Sequence, residues 1–278
     1  MIAGALIAAA VFLSAWMAFA WWLQWRTGKS GWVDTLWSYG VGIAGVSLAL
    51  LVPLAAGDAI TARQWLVAAL CATWSVRLGT HILFRTLSGG DDPRYAQLKK
   101  EWRRDAPRRM FWFLQIQALC AFVLVLAVFV AAQNPASALR AIDWAGAMLL
   151  VFAIAGAGVA DRQLKAFVGK KKNKGNIAEI GLWAYSRHPN YFFEWLGWFA
   201  YVLIAFNVGG GYWWWPLALL APAMMYWLLV HASGIPPLEA HMLRSRGAKF
   251  RAYQARVNAF FPGPRREDRS RASAGRKR

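Results

Sequence analysis

Residues 181–197 read GLWAYSRHPNYFFEWLG and place a polar cluster directly in front of an apolar run. Arg187 and His188 precede Pro189, and a single acid, Glu194, follows inside the apolar segment. Proline fits the first turn of a helix, so a helix is predicted to begin near Pro189. Ionisable groups at the mouth of an apolar helix indicate a functional site in a membrane protein. The alternative is a surface anchor, with Arg187 at the lipid headgroups and Glu194 in a salt bridge.

The composition of the whole chain is typical of an integral membrane protein. Of the 278 residues, 58% are hydrophobic and 15% are aromatic, and the mean hydropathy is +0.32. Runs of about 20 apolar residues predict an all-α fold, a bundle of about seven transmembrane helices. The predicted spans cover residues 2–25, 32–56, 62–84, 110–132, 141–160, 191–207 and 212–231. The first run lacks a basic leader and is too long for a signal peptide, so it is predicted to be a retained helix.

The distribution of positive charge predicts the orientation of these spans. The net charge is +19, and the lysines and arginines concentrate after the first, third, fifth and seventh spans. Since positive loops stay in the cytoplasm, the N-terminus is expected outside and the C-terminus inside the cell. A basic chain also fits a nucleic-acid partner. In a multi-pass protein it reports topology and contact with membrane lipids, so no nucleic-acid partner is expected.

The two cysteines and the glycines exclude some classes of site. Cys71 and Cys120 both lie inside apolar runs, so neither a disulfide framework nor a metal site is expected. No glycine-rich loop of the dinucleotide or phosphate-loop type occurs, so a nucleotide site would not be of the Rossmann type. Residues 262–278 are rich in arginine and are predicted to be a basic, disordered tail.

Two further polar features lie in the first half of the chain. Asp34, in GWVDTLWS, and His81, in RLGTHILFR, are predicted on adjacent helices at similar depth. Such a pair can polarise a carbonyl group or supply a proton, and the alternative is a structural pairing of Asp34 with His81 or Arg77. The DDPRY box at residues 91–95 is expected to cap the loop after the third span and to pair with arginine rather than to bind a metal.

Four segments together resemble a known family. RHPNYFFEW, WVDTLWS, DDPRY and the terminal PPLEAHMLRSRGAKFRAYQARVNAFFP are similar to the bacterial DUF1295 proteins, which belong with the steroid 5α-reductase family. The resemblance covers about residues 32–262. RHPNY is shared with sterol C14-reductases, and isoprenylcysteine carboxyl methyltransferases have a related RHPxY motif. The other boxes favour the reductase branch.

The resemblance implies a transmembrane reductase domain at 1–261 in a bacterial inner membrane. NADPH would bind on the cytoplasmic side in a half that covers about residues 141–261, and a lipid or steroid substrate would enter from the bilayer. The implied cofactor-binding positions are Arg85, Asp161, Lys165, Trp183, Tyr185, Arg187, His188, Asn190, Tyr191, Glu194, Glu239, Arg246 and Tyr253.

The resemblance also suggests catalytic residues. In the eukaryotic steroid reductases a glutamate and a tyrosine hold the 3-oxo group, and these positions correspond here to Asp34 and Ile82. Because Ile82 has no polar group, we expect the neighbouring His81 and a protonated Asp34 to stabilise the carbonyl oxygen during hydride transfer.

Two other functions fit the same sequence. One is a methyltransferase that uses S-adenosylmethionine on a lipid or thiol, and the other is a lipid-binding membrane protein without enzymatic activity. S-adenosylmethionine carries no phosphate, so a cationic surface favours NADPH. The cations concerned are Arg85, Arg187, Arg244, Arg246 and the lysine run at 170–174.

Overall fold

The computed structural model describes residues 1–89, 91–209 and 211–266, and within them it contains eleven α-helices and no β-strand. Short 3₁₀ and π-helical turns connect several of the helices. The helices are α1 Ile2–Thr27, α2 Gly31–Ala55, α3 Ala62–Ser88, α4 Pro93–Trp102, α5 Ala106–Ala132, α6 Ala141–Val168, α7 Pro189–Gly197, α8 Phe199–Ala205, α9 Leu220–Trp227, α10 Ile235–Arg246 and α11 Ala248–Arg256.

Six helical stretches in this part of the chain are long and apolar enough to cross a membrane. They are Ile2–Thr27, Gly31–Ala55, Ala62–Ser88, Arg94–Ala132, Ala141–Val168 and Trp215–Arg246. The predicted all-α membrane fold is therefore confirmed. The predicted span 191–207 forms two short helices, α7 and α8, which meet at Gly197 and Trp198. Seven spans and the orientation of the termini stay predictions.

The helices group into two compact units. Unit 1 comprises Met1–Leu150 and Trp198–Met224, and unit 2 comprises Val151–Gly197 and the described part of Met225–Arg278. The predicted boundary of a cofactor-binding half at about residue 141 stays a prediction. The predicted tail, 262–278, lies outside the described residues from position 267 onward.

In unit 1, α2 packs closely against α3, and glycines allow the close approach. A Cβ atom at these glycines would collide with the facing side chain, so small residues are required there. The facing pairs are Gly31 with Thr86, Gly42 with Ser75 and Gly45 with Cys71. Their numbers rise on one helix as they fall on the other, so the two helices are antiparallel.

A buried ion cluster lies at the N-terminal end of α3, far from His81. Arg63 and Asp143 are 3% and 0% exposed, and Arg63 Nη2 lies 2.9 Å from Asp143 Oδ2. Arg140 Nη2 lies 2.8 Å from the other oxygen of this carboxylate. The two arginines and Asn134 also donate to six backbone carbonyls, at Asn134, Ala136, Ala138, Ile204, Ala205 and Phe206. The cluster thereby satisfies the free carbonyl groups at the end of α8 and joins α8 to α3 and α6.

In unit 2, the chain after α11 returns to the segment that precedes α7. We call residues 257–263 the C-terminal strap. Asn258 O accepts from Arg187 N at 2.9 Å, Phe260 O accepts from Ser186 Oγ at 2.8 Å, and Gly263 N donates to Tyr185 O at 3.0 Å. The helical segment predicted between residues 231 and 261, with a break near Gly247, is confirmed by α10 and α11, which meet at Gly247 with a φ of 51°.

Candidate functional site

The RHPNY motif forms the entry to α7 in unit 2. The helix begins at Pro189, as the sequence predicts, and the preceding Ser186 and His188 are buried. Ser186 Oγ accepts a hydrogen bond from His188 N at 3.1 Å. The backbone before Pro189 is held by hydrogen bonds to the C-terminal strap, and the backbone after it is helical. Together these restraints fix the directions in which the side chains of the motif point.

All three nitrogens of the Arg187 guanidinium group have partners in the protein. Its Nε and Nη2 lie 2.7 and 3.2 Å from the two carboxylate oxygens of Glu239, a paired geometry that strengthens the ion pair. Its Nη1 donates to the backbone carbonyls of Gln254 and Val257. Gln254 Nε2 also donates to Glu239 at 2.7 Å. Arg187 and Glu239 were both predicted as cofactor ligands, and in this structure they join the segment before α7 to α10 and α11.

His188 belongs to the same network. It is 4% exposed, its Nε2 lies 2.9 Å from Glu239 Oε1, and its ring stacks on Tyr191 at 5.5 Å between centroids. Burial lowers the pKa of His188, while the hydrogen bond and charge of Glu239 act in the opposite direction and the charge of Arg187 adds to the lowering. The net shift is downward, so the fold favours neutral imidazole.

We predict that this shift makes the stability of the protein depend on pH. Because the pKa of His188 is lower in the folded than in the unfolded state, its stabilisation is complete above about pH 6.5 and is lost as the pH falls below it. Thermal unfolding in detergent should show a melting temperature that falls on acidification, with a flatter profile in His188→Gln. Exposed His231 offers the control, since His231→Gln should keep the wild-type slope. An unchanged slope in His188→Gln would assign the effect elsewhere.

Asn190 and Asp161 form a second, more open part of the site. Asn190 Nδ2 donates to Asp161 Oδ1 at 3.2 Å, and Asn190 Oδ1 accepts from Tyr191 N at 3.0 Å. Both side chains are half-buried, and Lys165 is exposed one turn further along α6. The structure therefore brings the predicted residues of α6 and α7 together. Glu194 is half-buried on α7.

Other predicted cofactor ligands in unit 2 have different surroundings. Trp183 is 8% exposed and donates to Ala160 O at 2.9 Å. Tyr253 is 3% exposed and donates to Trp183 O at 2.6 Å. Both residues are therefore buried and hydrogen-bonded to the backbone near the motif. Tyr185, in contrast, is 53% exposed. Arg246 is half-buried, and its Nε has no hydrogen-bond partner among the described residues.

In unit 1, the carboxylate of Asp34 is held by the DDPRY box. Arg94 forms a salt bridge with one oxygen, and the Tyr95 hydroxyl donates to the other at 2.7 Å. Arg94 also contacts Asp92, whose carboxylate accepts from Arg94 N at 3.0 Å and caps α4. The expected pairing of the box with arginine is confirmed, and the cap that the sequence placed in the loop is the N-cap of α4. Both oxygens of Asp34 act as acceptors here.

The sequence interpretation missed Arg94 and Tyr95 as partners of Asp34. Arg85, a predicted cofactor ligand, lies 3.3 Å from Asp92 and its side chain is 54% exposed. His81 is exposed on α3. The antiparallel register of α2 and α3 places Asp34 and His81 within about one helical turn of each other along the pair, at the similar depth that was predicted.

Within the described residues, no group of three or more histidine, cysteine, aspartate or glutamate side chains is arranged to hold a metal ion. The polar clusters that the structure offers are hydrogen-bonded networks of arginine, carboxylate and amide groups. Their chemistry suits binding of an anionic organic ligand or proton transfer.

The helices and these clusters together define a multi-pass, all-helical membrane protein with polar sites at the helix ends. Residues 20–257 match the family described as "Protein of unknown function (DUF1295)", and the chain belongs to that family. The family is associated with steroid 5α-reductase-like membrane proteins and is consistent with a membrane oxidoreductase. The chain matches no curated protein and no solved structure.

Proposed function

We propose that this protein is a membrane-embedded, NADPH-dependent reductase of a conjugated C=C bond in a lipid enone, of the 3-oxo-Δ4-steroid type. The substrate would enter from the bilayer, and the location would be the inner membrane of a bacterium. Membership of the DUF1295 family supports the class of reaction.

The observation that carries the proposal is the arrangement of the RHPNY motif in unit 2. Asn190 and Asp161 form a half-buried amide–carboxylate pair, and exposed Lys165 follows on α6. Arg246 adds a cation whose buried Nε has no partner among the described residues. Such an orphaned donor on a cationic group fits a phosphate ligand, because arginine and lysine are the usual partners of phosphate.

The roles of the residues follow from their chemistry. The chemistry that NADPH would supply here is a hydride for the β-carbon of the enone, and a proton from water would complete the reduction at the α-carbon. Lys165 and Arg246 would bind phosphate oxygens, and the Asn190 amide would orient a polar group of the cofactor. Arg187, Glu239 and the C-terminal strap act as positioning elements, since their hydrogen bonds fix the backbone that carries Asn190.

The proposed catalytic residues lie in unit 1. Protonated Asp34 and His81 would donate hydrogen bonds to the negative charge that develops on the carbonyl oxygen of the enone, which is where preorganised polar groups lower the barrier. The surrounding bilayer excludes water and supplies the apolar substrate.

We predict that purified protein in detergent binds NADPH at least about tenfold more tightly than NADH, because the 2′-phosphate adds charge-assisted hydrogen bonds. Equilibrium titration with NADPH, NADH and S-adenosylmethionine tests this directly. NADPH oxidation should then depend on an added enone, with testosterone and progesterone as first substrates. Arg246→Gln should weaken NADPH binding more than NADH binding. Binding of S-adenosylmethionine in place of NADPH would overturn the proposal and indicate a methyltransferase.

A further inference from the structure

The most strongly charged surface of unit 2 outside the network of the RHPNY motif is the turn that follows α6. Four lysines, Lys170, Lys171, Lys172 and Lys174, lie in and beside the 3₁₀ turn Lys171–Asn173, and all four are exposed. We call residues 170–174 the lysine turn. No acid occurs in the sequence between Asp161 and Glu179. These two flanking acids are already engaged, with Asn190 and Arg256 respectively.

The backbone of the lysine turn is fixed by hydrogen bonds. Asn173 Nδ2 donates to Phe167 O at 2.8 Å and thereby satisfies a free carbonyl near the end of α6. Asn173 N and Lys174 N donate to the carbonyls three residues earlier, at 2.9 and 3.1 Å. The four lysines therefore lie on a turn whose backbone is held in place by hydrogen bonds.

Neighbouring residues extend the surface. Lys249 Nζ donates to Asn176 Oδ1 at 2.9 Å, which brings a fifth lysine, on α11, against the same loop. Apolar side chains flank the charges on both sides, since Val168 is 69% exposed and Ile180 is 41% exposed. Cations beside exposed apolar side chains are typical of segments that lie at a membrane surface.

The length of α6 sets the distance of the lysine turn from the bilayer. The helix has 28 residues and is therefore about 42 Å long. A bilayer measures about 40–45 Å with both headgroup layers included. A helix of this length that crosses the membrane ends at the headgroups, and the lysine turn begins two residues beyond its last residue.

We infer that the lysine turn, with Lys249, is a docking surface for anionic phospholipid headgroups. At the level of the headgroups, the ammonium groups of these lysines pair with lipid phosphates. Val168 and Ile180 insert between the headgroups. A dinucleotide site is a concave pocket that covers most of its ligand. Four exposed lysines on a short turn fit an extended lipid surface better than such a pocket. This inference does not depend on the proposed reductase activity.

Lipid binding to the purified full-length protein tests this inference. Native mass spectrometry in neutral detergent would compare added phosphatidylglycerol with phosphatidylcholine. A variant with Lys170→Gln, Lys171→Gln, Lys172→Gln and Lys174→Gln should lose at least about tenfold in affinity for phosphatidylglycerol, since each lysine contributes up to about fivefold. Phosphatidylcholine binding should be unchanged, and added salt should weaken the difference.

A matched variant removes four exposed arginines elsewhere, at Arg103, Arg104, Arg108 and Arg109, by replacement with glutamine. These arginines are spread over seven residues that include Asp105, whereas the lysine turn carries four cations within five residues and no acid. A larger loss in the lysine variant than in the arginine variant supports the docking surface. An equal loss in both, or no loss in the lysine variant, overturns it. A lysine variant that keeps lipid binding and loses NADPH would assign these residues to the cofactor instead. A wild-type protein that binds no NADPH leaves the lipid comparison intact.

Discussion

Replacement of Asp143 by asparagine is expected to lower the free energy of unfolding by about 3–5 kcal/mol, the usual loss when a buried ion pair is broken on one side. Asp143 is fully buried and accepts from Arg63 and Arg140. Its loss leaves the guanidinium of Arg63, 3% exposed, without a counter-charge. A folded domain has only about 5–15 kcal/mol of stability, so this loss is a large fraction of the total.

The effect of Asp143→Asn is predicted to extend beyond one ion pair. Arg63 and Arg140 also donate to backbone carbonyls of the loop before α6 and of the last turn of α8. Asparagine has no negative charge to hold the two arginines in position. The backbone carbonyls to which these arginines donate therefore lose their hydrogen bonds. We therefore expect α8 to become more accessible to hydrogen exchange in the variant than α2 does.

Thermal or denaturant unfolding in detergent measures the loss, and Glu179→Gln provides the comparison. Glu179 pairs with Arg256 at 2.6 Å, but the two side chains are 25% and 31% exposed. Exposed ion pairs contribute about 0–1 kcal/mol, so this variant should remain close to wild type. If Asp143→Asn were as stable as Glu179→Gln, the buried cluster would not hold unit 1 together.

Local sequence signals predicted much of the architecture. A run of about 20 apolar residues needs no long-range partner to be a helix in a membrane, which is why the long helices were anticipated. Pro189 at a helix start and Gly247 at a helix break are equally local, since each acts through its own backbone. The predicted span 191–207 had no such signal for its interruption at Trp198 beyond the glycine before it.

Partners that are distant in sequence could not be predicted. The carboxylate of Asp34 meets Arg94 and Tyr95 because α4 folds back onto the start of α2, about 60 residues earlier. Arg63 and Asp143 are separated by 80 residues. A buried charged residue indicates that it needs a partner. Which residue becomes that partner depends on which distant segment the fold brings next to it. The partners of Arg187, which are Glu239, Gln254 and Val257, likewise lie 52 to 70 residues further along the chain, and its contact with a cofactor stays a prediction.

The second large effect is expected for Asp34→Asn, which should lower kcat with a lipid enone by about 100- to 1,000-fold, the usual loss when one group that stabilises a developing oxyanion is removed. The prediction rests on the proposed reductase activity. Asparagine keeps the shape of the side chain and removes the acidic proton that Asp34 would share with the carbonyl oxygen. The dissociation constant of NADPH should stay within about twofold of wild type, because the residues proposed to bind NADPH phosphates, Lys165 and Arg246, belong to unit 2.

A loss of activity in Asp34→Asn has two physical explanations, and Asp92→Asn separates them. Asp92 also pairs with Arg94, at 3.0 Å, and it caps α4. Asparagine caps a helix about as well as aspartate, so Asp92→Asn removes one carboxylate from Arg94 while it preserves α4. If Asp34 acts on the substrate carbonyl, kcat falls in Asp34→Asn and stays within about threefold of wild type in Asp92→Asn. Equal losses in both variants would show that Asp34 acts through the position of Arg94, and wild-type turnover in Asp34→Asn would remove Asp34 from the mechanism.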